Sequence, residues 1–297
     1  MNHLEAAAHW AWDTSLAASV LIIPALLFSF LFRNPRFTPI RHMLGLLIVA
    51  RLLLPFSLPS PLSIFNLLKP QPAAIAPLSP PTIVAAEVTR LTPPPADKHS
   101  PIISAAAGIW ILGLAILLTR VVVQHIKVRR WLTAKNHITE GPAVDALNAA
   151  LTLSNCRRGI ALYSIQGLQT PALFGFFRPA ILLPADLAQS NDATRLRLVC
   201  LHEIAHLHRK DVLINWLMIV AQSLHWFNPL VWLALRRLRA DQELLCDEAV
   251  MRHLRPEEHH TYGETLLALA SPRSYAFSTL IPVSSNFKQL KERIAMI

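Results

Sequence analysis

Charge is scarce in this 297-residue chain. Asp, Glu, Lys and Arg together make 15% of it, where an ordinary soluble domain carries about a quarter. Apolar residues make 53% and the mean hydropathy is +0.39. That excludes a disordered chain and an ordinary soluble globule. Acid is scarcer than base, 18 residues against 28, for a net charge of +10. Such a balance raises nucleic acid or a membrane surface as partners. Here the basic residues flank apolar runs, so they read as positive-inside signals, and no direct nucleic-acid binding is expected. Cysteine is limited to Cys156, Cys200 and Cys246, an odd set that argues against a disulfide scaffold. Residues 1–14 lack Lys and Arg and hold Glu5 and Asp13, so the apolar run behind them has no signal-peptide start. No internal repeat is present.

What the chain does have is long apolar runs. Residues 15–32 carry no charge and as a helix span about 27 Å, close to a bilayer core. Residues 40–58 form a second run, with Arg51 inside it expected to snorkel or to face other helices. Arg33, Arg36 and Arg41 lie at this junction without an acid, which puts the connecting loop in the cytoplasm and the N-terminus outside. Residues 59–101 contain 11 prolines and read as an extended outer linker. A third run, 102–124, is followed at once by Lys127, Arg129 and Arg130, again a cytoplasmic signal. The organisation expected is therefore a helix pair over 1–58, a Pro-rich linker over 59–101, a third span over 102–124, and a cytoplasmic, membrane-associated domain over 125–297. Within that domain the patterns predict a helix from Pro142 to Thr152 and strands in IALYSI, PALFGFF and AILLP. From Asp192 to about Leu254 the pattern is helical, giving an α+β unit.

The chemistry lies in Leu201-His202-Glu203-Ile204-Ala205-His206. This holds H-E-x-x-H, a pattern far too rare at this composition to be chance. On a helix His202 and His206 share one face and can bind one Zn²⁺. Glu203 is placed beside them to take a proton from a water polarised by the metal. A third ligand is required. Glu243 and Asp247 are four residues apart on a later helical segment. Glu243 is assigned as ligand and Asp247 as acceptor for the N–H of a ligating histidine. Asp211, five residues after His206, is another such acceptor, or equally a cap for the next helix.

His202–Asp211 (HEIAHLHRKD), Trp226–Pro229 (WFNP), Glu243–Glu248 (ELLCDE), the PALFGFFRPAILLP stretch and the terminal LKERIAMI resemble the BlaR/MecR family of membrane metallopeptidases. The resemblance covers nearly the whole chain and is sharpest from 171 to 297. It implies a mainly α integral membrane protein with three transmembrane helices and a gluzincin-like α+β zinc metallopeptidase domain. In it Glu243 is the third ligand and Glu203 the general base. It further implies an antirepressor: an outside signal activates the peptidase, which cleaves itself and leads to loss of a cytoplasmic repressor. Sensor members of the family carry a fourth span and an outer penicillin-binding domain, and neither lies within these residues. The partners expected are the lipid membrane of the cell, a cytoplasmic repressor and the chain itself, with a homo-oligomer left open.

Residues 212–224 and 230–235 are also apolar. His202, His206 and Glu243 must nevertheless meet at one ion. A single crossing would strand Glu243, and two crossings need about 40 residues, whereas 36 lie between His206 and Glu243. The segment 212–235 is therefore read as buried or re-entrant, broken at Asn228-Pro229. Arg236, Arg237 and Arg239 either hold substrate or face lipid. Tyr262 either donates to an oxyanion or packs. The strand at 180–183 is a candidate to pair with extended substrate by β-addition. Competing functions are a housekeeping protease of the CAAX-processing or heat-shock type, and a receptor scaffold with structural zinc and no catalysis.

Overall fold

A computed structural model describes residues 3–54, 101–269 and 287–294. Most of these are helical. Helix α1 is His3–Leu31, α2 Thr38–Leu53 and α3 Pro101–Trp131, then α4 Pro142–Leu153. Three strands follow: β1 Ala161–Ile165, β2 Ala172–Phe174 and β3 Ala180–Pro184. The remaining helices are α5 Ala185–Ala188, α6 Ala193–His208, α7 Asp211–Leu224, α8 Pro229–Met251, α9 Pro256–Leu269 and α10 Phe287–Ile294. Local chemistry sets the ends. Pro142 occupies the first turn of α4. Asp192 caps α6 by accepting from the Arg195 N–H at 2.9 Å. Lys210, left-handed at φ 58°, separates α6 from α7. Asn228 caps α8, accepting from Leu230 N–H, with Pro229 next.

Among the described residues, two helices are long and apolar enough to cross a membrane, Leu4–Leu31 and Ile103–Trp131. Only 28% and 11% of their apolar windows are buried, so the rest of the described chain leaves most of both helices uncovered. The second expected span is a 16-residue helix in its described part, shorter than the ~20 residues of a full crossing; residues 55–58 and the Pro-rich linker fall outside the described residues.

The described residues form two main cores, and α8 belongs to both. Its first half, through Val231, Ala234, Leu235 and Leu238, packs with Ala18 and Ile22 of α1, Ile48, Val49 and Leu52 of α2, and Met218 and Ala221 of α7. Its second half, through Cys246 and Val250, joins α4, the sheet, α6 and α9. At about 1.5 Å per residue the helix is about 34 Å long, enough to link them.

The α7–α8 hairpin runs alongside the apolar helices. At its tip Asn228 Nδ2 donates to Ser15 Oγ at 2.8 Å and Ser19 Oγ at 2.9 Å, and His225 Nε2 lies 3.0 Å from the Leu52 carbonyl. Trp110 Nε1 of α3 donates to the Leu224 carbonyl at 2.9 Å. Further along, buried Arg41 of α2 pairs with Asp241 of α8 at 2.9 Å and donates to the carbonyls of Phe32 and Asn34. The outer face bares Leu213, Trp216, Leu217, Val220 and Leu233. The helical hairpin breaks at Asn228-Pro229 and is packed on one side and apolar on the other.

The sheet has the order β1-β3-β2, with β1 parallel and β2 antiparallel to β3. This corrects one expectation. The strand at 180–184 is central and fully buried, hydrogen-bonded on both sides, so it has no free edge for substrate. The edge strand β2 reaches Glu203, whose carboxyl takes a hydrogen bond from the Leu173 backbone.

Candidate metal centre

Helix α6 presents His202 and His206 one turn apart, as their spacing requires. Their Nε2 atoms approach to 3.2 Å. Glu243 enters from α8, with one carboxylate oxygen 3.6 Å from His202 Nε2 and the other 3.8 Å from His206 Nε2. Ligands about 2.0–2.1 Å from a tetrahedral zinc stand about 3.3–3.4 Å apart, so the two Nε2 atoms and the Glu243 carboxylate outline one face of such a site.

The back of each imidazole is engaged. His206 Nδ1 donates to Asp211 Oδ2 at 2.9 Å. The Cys246 thiol also donates to that oxygen, at 3.3 Å, and Gln242 Nε2 donates to Asp211 Oδ1. Asp211 is thus an anchor for His206, while the residue before α7, Lys210, makes no side-chain cap. His202 Nδ1 lies 2.9 Å from the Tyr262 hydroxyl and 3.3 Å from Asp247 Oδ1. Tyr262 donates to that same oxygen at 2.7 Å. Those partners hold the Nδ1 side of each ring and aim the two Nε2 atoms at one another beside a carboxylate. That is a donor set that calls for a cation, so the residues present fit a divalent metal. Tyr262 is 1% exposed and sits behind His202; it packs and orients.

The electrostatics agree. Burial opposes the His202 imidazolium, yet Asp247 and Glu243 outweigh it and lift the group to about 10. His206 is raised despite burial, chiefly by Asp211. Burial works against ionised Glu243, but Arg293 and the two histidines hold it well below the usual carboxylate range. Asp247 is lowered in the same way by Arg293 and His202. Glu203 moves the other way: burial raises it, opposed in part by the histidines and by a hydrogen bond from the Leu173 backbone. Burial that raises a carboxyl's pKa makes its ionised form a stronger proton acceptor, as a general base requires.

A profile of the BlaR1 peptidase M56 family matches residues 9–297. The chain belongs to that family. The resemblance carried by HEIAHLHRKD and ELLCDE is thereby borne out, and membership implies a peptidase that uses a metal. The chain is 30% identical over 196 residues to the regulatory protein BlaR1 of Bacillus licheniformis, covering 65% of this chain and 32% of that one. It is 27% identical over 145 residues to the methicillin resistance mecR1 protein of Staphylococcus aureus, 47% of this chain and 25% of that one. To the BlaR1 of Staphylococcus aureus it is 24% identical over 191 residues, 64% and 32% of the two chains. The matched segments thus span a quarter to a third of the curated relatives' length.

The structure brings together all six residues singled out in the sequence: His202, Glu203, His206, Asp211, Glu243 and Asp247. The three arginines of α8 separate. Arg237 pairs with Asp241 at 3.2 Å and Glu292 at 3.3 Å, while Arg236 is exposed. Sequence reasoning marked the LKERIAMI segment but gave Arg293 no role; its guanidinium binds Asp247 and Glu243. No spacing rule connects a C-terminal arginine to a site some 50 residues earlier.

Proposed function

We propose that this chain is a membrane-embedded zinc endopeptidase of the BlaR/MecR type, which transduces an external signal by cleaving itself and causing loss of a cytoplasmic repressor. One observation carries the reading: His202, His206 and Glu243 converge beside the buried carboxyl of Glu203. A zinc ion held by those three residues would supply Lewis acidity toward a water molecule and the scissile carbonyl. Glu203 accepts the water's proton on its carboxylate and passes it to the leaving amine. Asp211, and Tyr262 with Asp247, hold the two Nδ1 protons and so keep both Nε2 lone pairs turned to the centre. An extended substrate adds along β2, whose Leu173 N–H already steadies Glu203. The topology that suits this task has the N-terminus and residues 59–101 outside and 125–297 inside, with 1–58 and 102–124 in the membrane.

Glu203→Gln should retain zinc and lose cleavage of a candidate repressor, while His206→Ala should lose zinc. Wild-type turnover by Glu203→Gln would remove Glu203 from the mechanism. Equal zinc in His206→Ala would remove the site. Zinc without any peptidase activity in the wild type would leave a non-catalytic scaffold.

A further inference from the structure

Helix α10, Phe287–Ile294, lies against α8 and sends one side chain into the metal centre. Arg293 Nε donates to Asp247 Oδ2 at 2.6 Å, and its Nη2 donates to Asp247 Oδ1 at 2.8 Å. Its remaining nitrogen, Nη1, stands 3.2 Å from Glu243 Oε2. The side chain is 19% exposed and that of Asp247 is 0%. One planar cation therefore joins the carboxylate of a candidate metal ligand to the carboxylate behind the other helix's ligand, His202. Lysine has no fork that could grip Asp247 with two nitrogens while a third reaches Glu243. Next to it, Glu292 pairs with Arg237 at 3.3 Å. This second clasp touches neither Glu243 nor Asp247.

Resting on the metal-site reading above, we infer that Arg293 is a positioning residue for that centre. Its guanidinium fixes the rotamers of Glu243 and Asp247 together, so the ligand set is complete only with α10 seated. Two carboxylates four residues apart on α8 repel each other, and Glu243 has a half-exposed side chain free to turn outward. Bonded to Arg293 through Oε2, Glu243 stays turned toward the two Nε2 atoms. Bonded to it through both oxygens, Asp247 stays under His202 Nδ1.

The test uses the full chain in detergent micelles. Zn²⁺ affinity is measured by competition with a chromophoric chelator, and the ligand-field spectrum is recorded after Co²⁺ loading. Arg293→Gln should weaken zinc about 10–100-fold, the usual scale for losing an outer partner of a ligand, and should change the cobalt spectrum. Arg293→Lys should recover only part of the affinity. Glu292→Gln, which loosens α10 without touching the ligands, should shift affinity by less than about threefold, as expected for a partly exposed pair. Wild-type affinity and spectrum in Arg293→Gln would overturn the inference. So would an equal loss in Glu292→Gln, which would make Arg293 merely part of the docking. If Arg293→Gln does not fold, Arg293→Lys with wild-type affinity and spectrum overturns it as well. Zinc binding that His206→Ala leaves unchanged sinks the metal site itself. Binding lost in His206→Ala but kept in Arg293→Gln sinks only the role of Arg293.

Discussion

Asp211 serves three donors at once: His206 Nδ1, the Cys246 thiol and Gln242 Nε2. Removing its carboxylate frees His206 to rotate and strands a buried thiol. Asp211→Ala should therefore weaken zinc about 10–100-fold, and Asp211→Asn, which keeps an acceptor, should cost less. Chelator competition on both variants checks the order; equal losses would mean that charge alone matters. His202 sets a pH dependence. In the metal-free protein its pKa is lifted to about 10, so at pH 8 the metal displaces a proton from it. Zinc affinity should rise with pH up to about 10, and calorimetry in two buffers of different ionisation enthalpy should count about one proton released per ion at that histidine. No proton release at pH 8 would show a neutral His202. The same raised pKa gives the metal-free fold a stabilising contribution that is full below the unfolded value near 6.5 and lost as pH climbs through about 10.

At the scale of elements, the α7–α8 hairpin depends on close approach to α3. A Cβ on Gly113 would come within 2.3 Å of the Trp226 ring, where real contacts do not go. Trp226 is also held by its Nε1, which donates to the Trp110 carbonyl at 3.3 Å. Gly113→Ala must therefore push the hairpin tip off α3, at a cost of about 1–3 kcal/mol. Thermal unfolding in detergent should show a lower midpoint with zinc stoichiometry unchanged. An unchanged midpoint would mean that the tip does not pack on α3 as described. The hairpin was legible from sequence because its limit is one of length. Its register was not, because it is set by Asn228 with Ser15 and Ser19 and by Arg41 with Asp241.

For the whole molecule, α8 joins the core of the apolar helices to the core around the sheet, and Asp241 and Glu243 sit where the two meet. α8 is thus the element that packs against α1 and α2 at one end and carries Glu243 toward the other. The proposed control of a cytoplasmic repressor requires the centre to face the cytoplasm. A cysteine introduced near residue 94, with the native thiols replaced, should react with an impermeant reagent in intact cells, and one near residue 135 should not. The reverse labelling would invert the topology and remove a cytoplasmic substrate.

The sequence by itself determined whatever depends on local geometry or chain length. Residues four apart meet on any helix, which placed His202 with His206 and Glu243 with Asp247. Thirty-six residues fall short of the about 40 that two full crossings take, which pointed to a segment that folds back. Caps and prolines marked the helix ends within a few residues. Only the tertiary structure decided that β3 is central and β2 the edge, since three similar apolar strands carry no mark of their order. Only it turned Tyr262 away from the reacting side and onto His202 Nδ1. It alone brought Arg41 to Asp241, 200 residues away, and Arg293 to Asp247, 46 residues away. Such pairs obey no period, because their partners are chosen by which surfaces the helices bury against one another.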